Sequence, residues 1–138
     1  MKIKASWVEG YRFIGNNDQG HGIIMDGSSG EQRLGNSPME MLLLGLGGCS
    51  GIDVVHILQK SREAVDDCVV EVEGKRADSE PKVFTDIHMT YTVTGKNLDM
   101  AKVERAVDLS ADKYCSASVM MGKAANITRE IIVIDSSS

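Results

Sequence analysis

Polar and apolar positions alternate at the start of the chain, and alternation of that period predicts strands. Residues 2–8 place Ile3, Ala5 and Trp7 on one face, Glu9-Gly10 interrupts, and residues 11–14 resume the pattern before a turn cluster from Asn16 to Gly20. A third strand, residues 22–26, closes at Gly27-Ser28-Ser29-Gly30, and residues 31–36 form a polar loop. The three strands read as an antiparallel meander. Ser37-Pro38 then opens a helix: Ser37 suits the N-cap, Pro38 the first helical position, and Glu40 completes a capping box.

From Met39 to about Lys60 the period changes and apolar residues lie nearly all round, which predicts a helix buried on most sides at the centre of the molecule. Gly45, Gly47, Gly48 and Gly51 each cost up to about 1 kcal/mol of helix propensity, and close approach of another backbone is the expected compensation. Strands follow at residues 68–74 and 83–93. In the second, Val83, Ile87, Met89, Tyr91 and Val93 face the core, and Thr90, Thr92 and Thr94 face away. Residues 99–114 and 115–125 read as helices, 127–134 as a last strand, and Ser136–Ser138 as a frayed tail. The fold class is therefore α+β, with helices on one face of antiparallel sheets.

Composition narrows the function. The 138 residues suit one domain with a real core, and 42% apolar with 25% charged residues is ordinary for a globular chain. A net charge of -5 has the wrong sign for gripping a phosphate backbone, so nucleic acid is not an expected partner. The uncharged run from Met41 to Ile52 falls short of the ~20 residues a membrane helix needs, and the first residues lack a signal peptide's apolar stretch. Cys49, Cys68 and Cys115 are too few for a disulfide framework and too scattered for a zinc pattern; this usage points to a reducing cytoplasm.

Cys49 lies mid-helix among glycines, where a small molecule reaches it if the helix lines a cleft, although a cysteine on an apolar helix is more often packing than nucleophile. Cys115 stands at a helix start, where the dipole favours thiolate; a capping role competes with chemistry there. Cys68 reads as a strand core residue. Asp53 and His56 share a helix face with Cys49, but His56 is two turns, roughly 10 Å, away; the face suits thiol activation, metal binding or, more often, a plain buried polar cluster. No histidine pair has metal-ligand spacing, and no glycine motif marks a nucleotide site, so neither metal nor cofactor is expected.

The run from Ser37-Pro38-Met39 through Gly48-Cys49-Ser50-Gly51-Ile52-Asp53, with Lys113-Tyr114-Cys115-Ser116, resembles the OsmC/Ohr family of bacterial thiol peroxidases, most closely its YhfA-type branch. The resemblance runs over essentially the whole chain. It implies an OsmC-like domain over residues 1–138 and an intertwined homodimer with the long cysteine helices at its centre and active sites at the subunit interface. It also implies Cys49 as the peroxidatic and Cys115 as the resolving cysteine. Organic hydroperoxide would be reduced through a Cys49 sulfenic acid and a Cys49–Cys115 disulfide, which a dithiol donor reopens. The activating arginine of the family lies in the N-terminal strands, where Arg12 matches. The family's orienting glutamate directly follows the helix-start proline; here Met39 stands there, and Glu40 is rotated ~100° around the helix. That departure keeps a second expectation open, a non-catalytic protein that binds a small apolar ligand or senses redox state.

Overall fold

The computed structural model describes residues 1–137; Ser138, the end of the expected tail, lies outside them. Two compact units make up the chain, one from Met1 to Leu42 and one from Leu43 onward.

The first unit is the expected meander: β1 (Ile3–Glu9), β2 (Arg12–Asn17) and β3 (Gly22–Asp26) pair antiparallel in that order. Gly10 takes φ +53° at the tight β1–β2 turn, a conformation open to glycine without strain, and its carbonyl accepts the Trp7 indole N–H at 2.9 Å. The unit buries almost nothing apolar: Trp7, Phe13, Ile23, Ile24 and Leu34 are all exposed. Its one fully buried residue is an acid, Asp26. The Asp26 carboxylate accepts the Leu34 and Ser28 backbone N–H groups at 2.9 and 2.8 Å and Arg12 Nε at 3.0 Å. Those backbone donors, foremost Leu34, hold its carboxyl far below the usual carboxylate range.

Helix α1 (Pro38–Lys60) begins with the anticipated capping box. The Ser37 N–H donates to Glu40 Oε1 at 2.9 Å, and the Glu40 N–H donates to Ser37 Oγ at 3.1 Å. Along the second unit α1 buries a single stripe, Leu46, Ser50, Val54 and Leu58, spaced by four. Leu44 and Ile52 stay 53% and 72% exposed, so burial on most sides, as the pattern suggested, is not met within one chain. The glycines divide accordingly. A Cβ at Gly47 would press on Val72 at 3.1 Å, one at Gly51 would reach ordinary contact with Val70 at 3.4 Å, and Gly45 and Gly48 face open space. By length and composition alone α1 is also long and apolar enough to cross a membrane, a test the shorter uncharged run had failed.

β4 (Ala64–Arg76) and β5 (Phe84–Lys96) form an antiparallel hairpin, and β6 (Asn126–Asp135) adds to β5 in parallel. This sheet is therefore mixed where antiparallel pairing was expected, because helical segments carry the chain back before β6 starts, so that β6 runs in the same sense as β5. Those segments are α2 (Met100–Leu109), a wide π-type turn (Ser110–Tyr114) and α3 (Ser116–Met121). The uninterrupted helix expected to Tyr114 thus ends five residues early. Ile87, Met89, Tyr91 and Val93 are buried as the alternation predicted, but Val83 is exposed and Phe84 buried, since a register shift between Lys75 and Arg76 turns the strand at that end. Val103, Ala106 and Val107 of α2 complete this core.

Candidate thiol site

The second unit brings together two cysteines distant in sequence. Cys49 is half-buried in the middle of α1, and Cys115 is fully buried between the π turn and α3. The sulfurs of both and a carboxylate oxygen of Asp53 lie within 4.8 Å of one another. Four residues separate Cys49 from Asp53, one helical turn, so α1 alone sets that edge of the triangle. The π turn sets the other. Its extra residue per turn carries Cys115 under α1, and the Cys115 N–H closes the turn on the Ser110 carbonyl at 2.7 Å.

A buried hydroxyl chain fixes both walls. Ser50 Oγ is 2.6 Å from the Tyr91 hydroxyl and 3.1 Å from Ser110 Oγ, and Ser110 Oγ donates to Asp53 Oδ2 at 3.1 Å. α1, β5 and the π turn are thereby joined through side chains, and no buried polar side-chain atom among the described residues lacks a partner.

Cys115 caps α3, with its sulfur accepting the Ser118 N–H at 3.4 Å. The expected lowering of its thiol does not follow. Burial first, and the neighbouring Cys49 thiol second, push it up to about 11, and the Ser118 donor offsets only part of that. A helix of six residues offers little dipole against complete desolvation. Two thiols and one acid at this spacing are groups that could exchange a proton or hold a cation, and either would need a thiol to give up its proton.

Asp53 also forms one wall of a cleft of about 560 Å³ between α1 and α2, with His56, Lys60, Lys102, Arg105 and Tyr114 among its lining. His56 therefore faces this cleft and is not part of the thiol triangle. Cys68 lies apart, half-buried beside Gly48 and Ile52 in an open apolar groove, with its thiol raised by burial and then by Asp67. In the first unit, every Arg12 guanidinium nitrogen is engaged: Nε by Asp26, one terminal nitrogen by Glu9 at 2.7 Å, and the other by the Gln32 carbonyl at 3.1 Å. Glu40 is occupied by its cap and by Arg33 at 2.9 Å, as its position one place beyond Met39 suggested.

Sequence reasoning picked out both cysteines and put Asp53 on the right helix face, but missed Ser50, Tyr91 and Ser110. A polar residue on the buried stripe of α1 was the available signal for Ser50. The other two depend on pairing and on a π turn that no spacing announces.

The chain is similar throughout to known proteins. The family described as OsmC-like protein matches residues 28–130. Protein YhfA of Escherichia coli strain K12 is 50% identical over 134 residues, covering 97% of this chain and 98% of YhfA. A hypothetical protein from Aquifex aeolicus VF5 superimposes with TM-score 0.87 at 31% identity over 99% of this chain and 97% of its own. The organic hydroperoxide resistance protein OhrB of Bacillus subtilis shares the fold, with TM-score 0.65 at 20% identity over 94% of this chain and 96% of its own.

Proposed function

Starting from the fact that this chain belongs to the OsmC-like protein family, we propose that it is a cytoplasmic, homodimeric thiol peroxidase that reduces organic hydroperoxides through Cys49 and Cys115. The observation that carries the reading is the approach of the two sulfurs to within 4.8 Å inside one chain, one half-buried and one fully buried. The more accessible sulfur is the one to meet a substrate. Cys49 attacks the O–O bond as thiolate, takes one oxygen as a sulfenic acid and releases the alcohol; Cys115 then condenses with it, releasing water and leaving a disulfide for a dithiol donor. Arg12 is the proposed stabiliser of the departing alkoxide, a role that suits a guanidinium already oriented by Asp26 and Glu9.

The dimer is supported by the apolar surface that one chain leaves bare. α1 presents Leu44 and Ile52 beside Gly45 and Gly48, where absent side chains admit a second helix closely. The first unit exposes Trp7, Phe13 and Ile24. A second copy of the same surface is the occupant that covers both sets.

A redox sensor that closes the same disulfide without turnover is the second reading. It is favoured by Met39 in place of the family glutamate and by a carboxylate, Asp53, beside the thiols. Peroxide consumption with dithiol donors separates the two. Steady turnover by the wild type, abolished in Cys49→Ser, supports the peroxidase; no turnover with any donor, or full turnover by Cys49→Ser, rejects it.

A further inference from the structure

We infer that Asp53 is the proton carrier of disulfide closure: its carboxylate accepts the Cys115 proton as that sulfur attacks oxidised Cys49, and passes it to the leaving oxygen. The inference deepens the reading of Cys49 and Cys115 as an attacking and resolving pair and rests on it. In the balanced step the Cys49 S–O bond breaks as the S–S bond forms. The Cys49 sulfur is reduced, the Cys115 sulfur is oxidised, and hydroxide leaves as water with the proton Asp53 took, so no outside oxidant is needed.

Three observations converge on this role. First, Asp53 is the acid within 4.8 Å of both reacting sulfurs. Second, Ser110 anchors Oδ2 at 3.1 Å, and among the described residues no hydrogen bond reaches Oδ1, which leaves that oxygen available to a thiol proton. Third, Cys115 is fully buried, so bulk water is a poor acceptor for its proton. Burial first, then Cys49, and last the Asp53 charge itself hold the Cys115 thiol up, so thiolate is scarce at neutral pH while Asp53 is ionised. A carboxylate at hand that takes the proton during the attack spares the reaction a separate ionisation of the buried thiol.

Cys49 on α1, Ser110 on the turn and Cys115 just after it lie beside Asp53, and the charged and titratable groups that share its cleft are His56 and Lys60 on α1, Lys102 and Arg105 on α2, and Tyr114 on the turn. Asp53 also lines the cleft, which offers its proton a route to solvent when the leaving group does not need it.

The test avoids peroxide, so it stays readable even if no hydroperoxide is turned over. In a Cys68→Ser background, 5,5′-dithiobis(2-nitrobenzoate) converts Cys49 to a mixed aryl disulfide, and attack by Cys115 releases a second thionitrobenzoate, followed by absorbance. Asp53→Asn is expected to slow that second release roughly 100-fold at neutral pH. It should also make the rate climb about tenfold per pH unit, because Cys115 must then ionise unaided. The wild type should vary far less with pH, and Asp53→Glu should restore most of the rate. If Asp53→Asn does not fold, Ser110→Ala, which loosens the carboxylate without removing it, should give a smaller slowing with a steeper pH profile than the wild type. Second release at the wild-type rate and pH slope in Asp53→Asn, or in Ser110→Ala where that variant stands in, overturns the inference.

Discussion

The two units of this chain reach order by opposite means. From Leu43 onward, apolar side chains of α1, α2 and β5 are withdrawn from water around a short hydroxyl chain, and the thiol site grows out of that packing. From Met1 to Leu42 the sheet has no apolar core of its own, and its tightest point is a buried carboxylate with two backbone donors and one arginine. One unit is held by burial and carries reactive groups; the other is held by hydrogen bonds and presents hydrophobic surface. A region organised by polar contacts can leave its apolar faces for another chain, which is what the proposed dimer uses.

The sharpest way to break this contrast is at Asp26. Asp26→Ala removes the acceptor of Leu34, Ser28 and Arg12 together, and should cost β1–β3 their hydrogen-exchange protection while β4–β6 keep theirs. Equal protection in both units after the substitution would show that the carboxylate is not what orders the first. The pH dependence has a definite sign. Because the folded carboxyl is depressed, its contribution is complete above the ordinary value of 3.8 and is lost as pH falls from there toward the lower folded value. Protection of β1–β3 should therefore hold at pH 5 and fade on acidification below about pH 4.

Next in size is the cost of trimming apolar side chains. Ile87 is 1% exposed in β5, so Ile87→Ala should lose about 2–5 kcal/mol in denaturant unfolding. Ile24 in β3 is 47% exposed, and Ile24→Ala should act chiefly on self-association, with a cost that depends on protein concentration. Sedimentation equilibrium reads the second effect. An Ile24→Ala cost that is large and independent of concentration would mean that the first unit has a core of its own.

Much of this contrast was legible beforehand, and the rest failed for definite reasons. Period-two alternation gave β1–β3 and the inward face of β5, and Ser37-Pro38 with Glu40 fixed the start of α1, because these signals are local. The parallel sense of β6 and the swap of Phe84 for Val83 are set by chain return and by a bulge, which no single strand's pattern encodes. At the site, the face shared by Cys49 and Asp53 follows from helix geometry. The meeting with Cys115 was carried by the family resemblance, and the rise of its thiol came from burial that a helix-start argument leaves out.

Within the second unit, Tyr91→Phe is a milder probe. It removes one hydroxyl from the Ser50–Ser110 chain but leaves those two bonded to each other, so the expected loss is about 1 kcal/mol. A loss beyond about 3 kcal/mol would mean that the chain behaves as one cooperative network.

The smallest effect concerns the cleft beside Asp53. Lys60, Lys102 and Arg105 line it in a chain of net charge -5, and none of the three makes an ion pair among the described residues. A local field of sign opposite to the whole molecule should favour anionic reagents that approach the thiols from this side. The rate of Cys49 with dianionic 5,5′-dithiobis(2-nitrobenzoate), relative to neutral 4,4′-dithiodipyridine, should fall about threefold when all three cations are changed to Gln, and salt should shrink the difference. Both reagents slowing equally would point to altered access, and no change in either would place the route to Cys49 elsewhere than the cleft.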